Sequence, residues 1–96
     1  MKIIRTENGN ELTLSLEGRL DTLTAPQLEN EDIADSVNTL TLNLAKLEYI
    51  SSAGLRVVLT LHKKMSAKGG LTVSNVNEAV LDVFNATGFT DILYII

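Results

Sequence analysis

Leucine recurs at every second position from Leu12 to Leu16, with Thr13, Ser15 and Glu17 between and after. That is the period of a strand buried on one face. Lys2 to Thr6 reads as a strand before it, and Asn8-Gly9 lies between the two. The Asn-Gly pair is preferred in type I′ hairpin turns because both central residues there need positive φ. The chain is therefore expected to open with an antiparallel hairpin. Gly18 to Leu23 reads as a loop. Thr24 with Gln27 has the spacing of a capping box, and Pro26 suits a first helical turn, where its missing N–H has no helical partner. A helix of about three turns is expected from Ala25 towards Asp35. Glu29, Glu31, Asp32 and Asp35 make it acidic, and Leu28, Ile33 and Ala34 are left to pack.

Thr39 to Leu44 alternates again, with Leu40, Leu42 and Leu44 on one face; Leu47 to Ile50 extends or follows that strand. A helix from about Ala53 to Ala67 is apolar nearly all round at its start, with Arg56, Thr60, Lys63 and Lys64 on one narrow polar stripe. It is expected to sit deeply against a sheet, ended by Gly69-Gly70. Leu71 to Val76 reads as a strand. Asn77 caps a helix carrying Val80, Leu81, Val83 and Phe84, with Gly88 placed to end it. Ile92 to Ile96 reads as a final apolar strand. The order β-β-α-β-α-β-α-β, with parallel pairing wherever a helix intervenes, predicts one α/β domain over residues 1–96. Its sheet should be five-stranded, mixed and mostly parallel, with packed helices on it.

Composition narrows the function classes. The chain has 96 residues, enough for one domain and too few for two. Aromatic residues are 4%, so the core must be aliphatic. There is no cysteine, which removes disulfides, thiolate chemistry and Cys-based zinc sites and suits a reducing cytoplasm. The net charge of −4, without a basic cluster, disfavours nucleic acid and anionic membranes as ligands. The first residues carry no long apolar core, so no signal peptide is expected, and no apolar run approaches the roughly 20 residues of a membrane span. Asn85-Ala86-Thr87 has the form of a glycosylation sequon, taken as chance. Protein partners remain the default.

Enzyme signatures are missing. His62 is the sole histidine, and its place on the apolar helix marks it as a partly covered helical side chain rather than a base. No spaced His and carboxylate set offers a metal site, and no phosphate-binding glycine loop occurs, so no cofactor is expected. The acidic run from Glu29 to Asp35 reads as a solvated face. Asp21 stands in a loop, where it fits either an Asx turn or a functional role. One segment has more direction to it: Tyr49-Ile50-Ser51-Ser52-Ala53-Gly54-Leu55-Arg56 puts two hydroxyls where a strand gives way to a helix. Serine is a favoured N-cap, which accounts for one hydroxyl. A helix N-terminus also favours a phosphate, and Arg56 falls on the same helical face as Ser52.

These segments together resemble the STAS domain, the module shared by sulfate transporters and anti-sigma factor antagonists. Gly18-Arg19-Leu20-Asp21-Thr22-Leu23-Thr24-Ala25 is similar to the family's first loop, acidic residue included. Leu42-Asn43-Leu44 followed by Leu47-Glu48-Tyr49-Ile50-Ser51-Ser52-Ala53-Gly54-Leu55 is similar to its central strand and phosphorylation loop. Ala67-Lys68-Gly69-Gly70 and Ala86-Thr87-Gly88-Phe89 match later turns.

The resemblance implies a cytoplasmic, non-enzymatic regulator that binds an anti-sigma factor. Such a partner is often a serine kinase that switches the antagonist off, and a phosphatase restores it. The phosphoacceptor position falls on Ser52, with Ser51 the neighbouring hydroxyl. Asp21, Ser51, Ser52, Gly54, Leu55 and Arg56 are the expected partner-binding residues. Ser51 replaces an aspartate frequent in the family, Asn43 replaces an acidic residue, and the first helix is shorter and more acidic than usual. The alternative reading is a constitutive STAS scaffold or transporter-associated subunit in which Ser52 is only a helix cap. A nucleotide or small-molecule binder is a third class, for which the sequence offers little.

Overall fold

Alternating burial organises the sheet. In the computed structural model, which describes residues 1–96, β1 (Lys2–Asn8) pairs antiparallel with β2 (Glu11–Leu20). β2 is followed by α1 (Ala25–Glu29), β3 (Thr39–Ile50), α2 (Ser52–Ser66), β4 (Gly70–Ser74), α3 (Glu78–Thr87), a 3₁₀ turn at Phe89–Asp91 and β5 (Tyr94–Ile95). The strands lie side by side in chain order, and every pair after the first is parallel. The mixed five-stranded α/β sheet expected from the sequence is thus the observed one.

Leu12, Leu14 and Leu16, Leu40, Leu42 and Leu44, and Leu71 with Val73 are all buried on one face. The helices pack there, with Val58, Met65, Val80 and Phe84 buried beneath them. The opposite face is bare. Registers place Thr6, Thr13, Thr41, Thr72 and Tyr94 in one cross-strand row, and Ile4, Ser15, Asn43 and Ser74 in the next. Parallel strands are usually covered on both faces; here Thr, Ser and Asn let the second face meet water. No helix is long and apolar enough to cross a membrane.

Several local expectations shift. The hairpin forms, but Asn8 pairs with Glu11, so its turn is Gly9-Asn10 rather than Asn8-Gly9. Only Gly9 takes positive φ, +62°, which suits a turn with glycine at the first central position. The Asn10 carbonyl accepts the Asn38 N–H at 2.7 Å, which ties this turn to the start of β3. β2 runs on through Gly18, Arg19 and Leu20, where the sequence predicts a loop. α1 stops at Glu29, well short of Asp35, and Ala34 is exposed. Its last turn holds no basic residue to compensate the negative helix end. Beyond it, outside groups claim the segment. The Lys68 ammonium donates to the Asp35 and Val37 carbonyls, both at 3.1 Å, and Arg5 donates to Glu31 at 3.3 Å. Ile33 and Val37 still reach the core without a helix. The last strand is only Tyr94–Ile95, because Phe89–Asp91 turns before it.

Candidate functional site

β3 is straight as far as Leu44 and then changes its stride. Ala45 and Lys46 are both exposed before the buried Leu47, and Glu48 and Tyr49 before the buried Ile50. Register with β2 slips at the same two places, between Ser15 and Glu17 and between Gly18 and Arg19. Such bulges re-aim side chains at the end of a strand. Here they turn Tyr49 outward, opposite Arg19, and bring Ile50 beside Leu20 at the floor of the junction with α2. Asn43 holds the first bulge: its Oδ1 accepts the Ala45 N–H at 3.1 Å and the Asn75 side-chain amide at 3.2 Å. Asn75 itself sits at φ +58°.

The junction is tight. The Ser51 N–H donates to the Leu20 carbonyl at 2.9 Å. A Cβ on Gly54 would stand 2.8 Å from both the Leu20 Cγ and the Leu20 carbonyl oxygen, and 2.9 Å from the Ile50 Cγ1. Only glycine allows α2 this close an approach. Gly54 is therefore buried, and Leu55 beside it is only 7% exposed. The sequence predicts both on the partner-binding surface. The structure buries both instead: Gly54 meets Leu20 and Ile50, and Leu55 lies in the core.

The two serines divide the work. Ser51 is the N-cap of α2, in extended conformation, and its hydroxyl accepts the Gly54 N–H at 3.4 Å. Capping belongs to Ser51 and not to Ser52, which is the first helical residue and exposed. No acidic residue occupies the first turn of α2, so its positive end is uncompensated. Arg56 is exposed one turn further on and lines a cleft of about 210 Å³ with Thr22, Pro26, Glu29 and Ala53.

Asp21 organises the neighbouring turn. Its Oδ1 accepts the Leu23 N–H at 3.0 Å and the Thr24 N–H at 3.1 Å. The Thr24 hydroxyl donates to the Arg19 carbonyl at 2.7 Å and accepts the Asp21 N–H at 2.9 Å. Thr24 thus makes no cap bond into α1, contrary to the capping box expected with Gln27. Desolvation pushes the Asp21 carboxyl up, but the Thr24 and Leu23 N–H groups, the Thr24 hydroxyl and the Arg19 charge together hold it below the ordinary carboxylate value. Arg19 lies 3.8 Å from the Asp21 Oδ2 and stacks its guanidinium 4.2 Å from the centre of the Tyr49 ring. Arg19, Leu23 and Tyr49 stand within the sequence motifs, yet the sequence assigns none of them to the site. The available signal was an apolar leucine inside a polar turn, next to an Arg and a Tyr at adjacent strand ends. His62, half-buried on α2, lies outside this cluster's hydrogen bonds; its Nδ1 has no partner.

An exposed serine at a helix start, an acid-centred turn beside it and this strand order are the arrangement that the sequence motifs implied. The sequence profile of the STAS domain matches residues 2–96. The chain belongs to the STAS domain family. It is 34% identical over 96 residues to BtrV of Bordetella bronchiseptica, assigned as an anti-sigma factor antagonist; the match covers 96% of this chain and 83% of BtrV. The anti-sigma-B factor antagonist of Bacillus subtilis is 29% identical over 90 residues, covering 91% and 83% of the two chains. Among solved structures, an anti-sigma factor antagonist from Mycobacterium paratuberculosis superposes with a TM-score of 0.87 at 24% identity, covering 98% of this chain and 83% of its own. The Bacillus cell fate determinant SpoIIAA in its phosphorylated form superposes with a TM-score of 0.70 at 18% identity, covering 99% and 91%. These relatives of the STAS domain described above are anti-sigma factor antagonists.

Proposed function

We propose that this STAS domain is a cytoplasmic anti-sigma factor antagonist whose docking surface is centred on Ser52 and is switched off by phosphorylation there. The observation that carries the reading is the division between the serines. Ser51 takes the cap, so the Ser52 hydroxyl is exposed at a helix start and free for a kinase to reach. The partner is an anti-sigma factor acting as a serine kinase, which transfers the γ-phosphoryl of ATP to the Ser52 hydroxyl and releases ADP; a phosphatase restores the hydroxyl by hydrolysing the phosphoserine with water, releasing inorganic phosphate. The relatedness to BtrV and to the anti-sigma-B factor antagonist supports the partner class. Asp21, Ser51 and Arg56 border the same surface, while Gly54 and Leu55 hold it in place.

Phosphorylation would add about −1.5 to −2 charges and three acceptor oxygens. The uncompensated end of α2 and the Arg56 guanidinium can receive that charge with the domain still folded. A docked partner would have to desolvate it. A loss of about 3 kcal/mol weakens binding by more than a hundredfold, at about 1.4 kcal/mol per decade. Ser52→Ala should bind the anti-sigma factor constitutively, and Ser52→Asp should bind it poorly yet remain folded. Incubation with the kinase and ATP, followed by peptide mass spectrometry, is the direct test. Phosphate on Ser51 alone would move the acceptor by one residue. No phosphate on either serine, with the kinase active on another substrate, would remove the switch.

A further inference from the structure

Leu23 is 87% exposed, the most exposed of the large hydrophobic side chains. A single exposed leucine on a loose tip would mean little. This one is held. Its N–H is bound by Asp21, Thr24 on its other side is bound to Asp21 and Arg19, and the Ala25 N–H closes the turn on the Asp21 carbonyl at 2.8 Å. The same Asp21 carboxylate faces the Arg19 guanidinium, which lies over the Tyr49 ring, itself 40% exposed. One carboxylate therefore fixes the backbone that carries Leu23 and faces the cation–aromatic pair as well. Thr22, next to Leu23, shares a cleft with Arg56 and Ala53, so the cluster is continuous with the surface around Ser52.

We infer that Leu23, with the Arg19–Tyr49 stack, is the docking anchor by which this domain holds an anti-sigma factor, and that the partner offers an apolar socket rimmed by carboxylates. The inference rests on the function proposed above and specifies its partner's surface. Tyr and Arg are enriched among the residues that carry most of the affinity in protein interfaces, which suits the Arg19–Tyr49 stack, and Leu23 stands beside it on a backbone already ordered, so that the turn itself loses little freedom on docking. Charge complementarity argues for the acidic rim. The chain is acidic overall, with a net charge of −4, yet this surface presents two exposed guanidiniums: Arg19, which Asp21 faces only at 3.8 Å, and Arg56, which shares its cleft with Glu29 but makes no ion pair. Asp21 is a positioning residue here, since its oxygens are engaged within the chain.

The test is calorimetric titration of the full chain, unphosphorylated, with the purified anti-sigma factor of the source organism. Leu23→Ser should weaken binding tenfold or more with an unchanged melting temperature, and Leu23→Met should bind nearly as wild type. Arg19→Ala should weaken binding and flatten its salt dependence. Binding by Leu23→Ser within twofold of wild type would overturn the anchor and leave the proposed function standing. If Ser52→Asp binds as tightly as wild type while Leu23→Ser does not, the anchor stands and the switch falls. A wild-type chain that fails to bind the anti-sigma factor at all would overturn both.

Discussion

The starts of α2 and α3 are capped alike and differ in the residues just inside the helix. Ser51 and Asn77 are both extended N-caps, and each accepts the N–H of the residue three positions on, Gly54 at 3.4 Å and Val80 at 2.9 Å. Both of those residues are buried. Val80 fills its place under α3 with a buried side chain, whereas Gly54 lets α2 meet the backbone and side chain of Leu20 directly. The first helical position is exposed in both, but it is a permanent carboxylate in α3, Glu78, and a neutral hydroxyl in α2, Ser52. One start is finished electrostatically, and the other is left open to receive a charge. The same local pattern thus yields a packing element in one place and a candidate control point in another.

Giving α2 the residue that α3 has should break the comparison most severely. Gly54→Val forces side-chain atoms into the Leu20 carbonyl and should cost about 3 kcal/mol or more, seen as a large drop in the urea midpoint or a failure to fold. A near-native midpoint would mean that α2 can stand off the sheet after all. The caps come next. Asn77→Ala loses the bond from Val80 and the amide bond to the Leu47 carbonyl, and should cost about 1–2 kcal/mol. Ser51→Ala loses only a long bond and should cost about 0.5 kcal/mol in the same assay. The smallest effect is the exchange of charge. Ser52→Glu should stabilise and Glu78→Ser destabilise by about 0.3–1 kcal/mol at low salt, and both effects should fade as salt is raised.

Regions with a single dominant period were legible in the sequence. Leu12 to Leu16 and Leu40 to Leu44 alternate because one sheet face is buried and the other wet, and no tertiary contact competes with that pattern. α2 and the Asn77 cap were legible for the same reason. α1 was legible only at its start, from Pro26: the acidic run opposes the negative end of a longer helix, and Lys68 and Arg5, distant in the chain, claim two carbonyls and a carboxylate of the segment beyond Glu29. The hairpin turn falls on Gly9-Asn10, where the Asn10 carbonyl accepts the Asn38 N–H, a contact that the Asn-Gly pair could not disclose. At the site, Ser52 and Arg56 could be placed by helical spacing. The apolar pattern set Leu55 on the seated side of α2, yet the family's motif assigned it to the docking surface, and the close approach of Gly54 to Leu20 and Ile50 shows only in the folded chain. The pairing of Arg19 with Tyr49 depends on two bulges that only the folded register shows.

The bond from the Ser51 N–H to the Leu20 carbonyl ties the end of β2 to the start of α2, across the junction between neighbouring strands. The strand end that leads into the Leu23 turn and the helix carrying Ser52 are thus fastened by a backbone bond and by the close approach of Gly54. A junction packed this closely leaves little room to report a modification by changing shape. In a cell using this domain as proposed, the two states would share one outline and differ only in electrical potential. The partner would then have to read voltage, so to speak, rather than form. Toggling would cost no refolding time, and the pace of the response would be set by the enzymes that write and erase the mark.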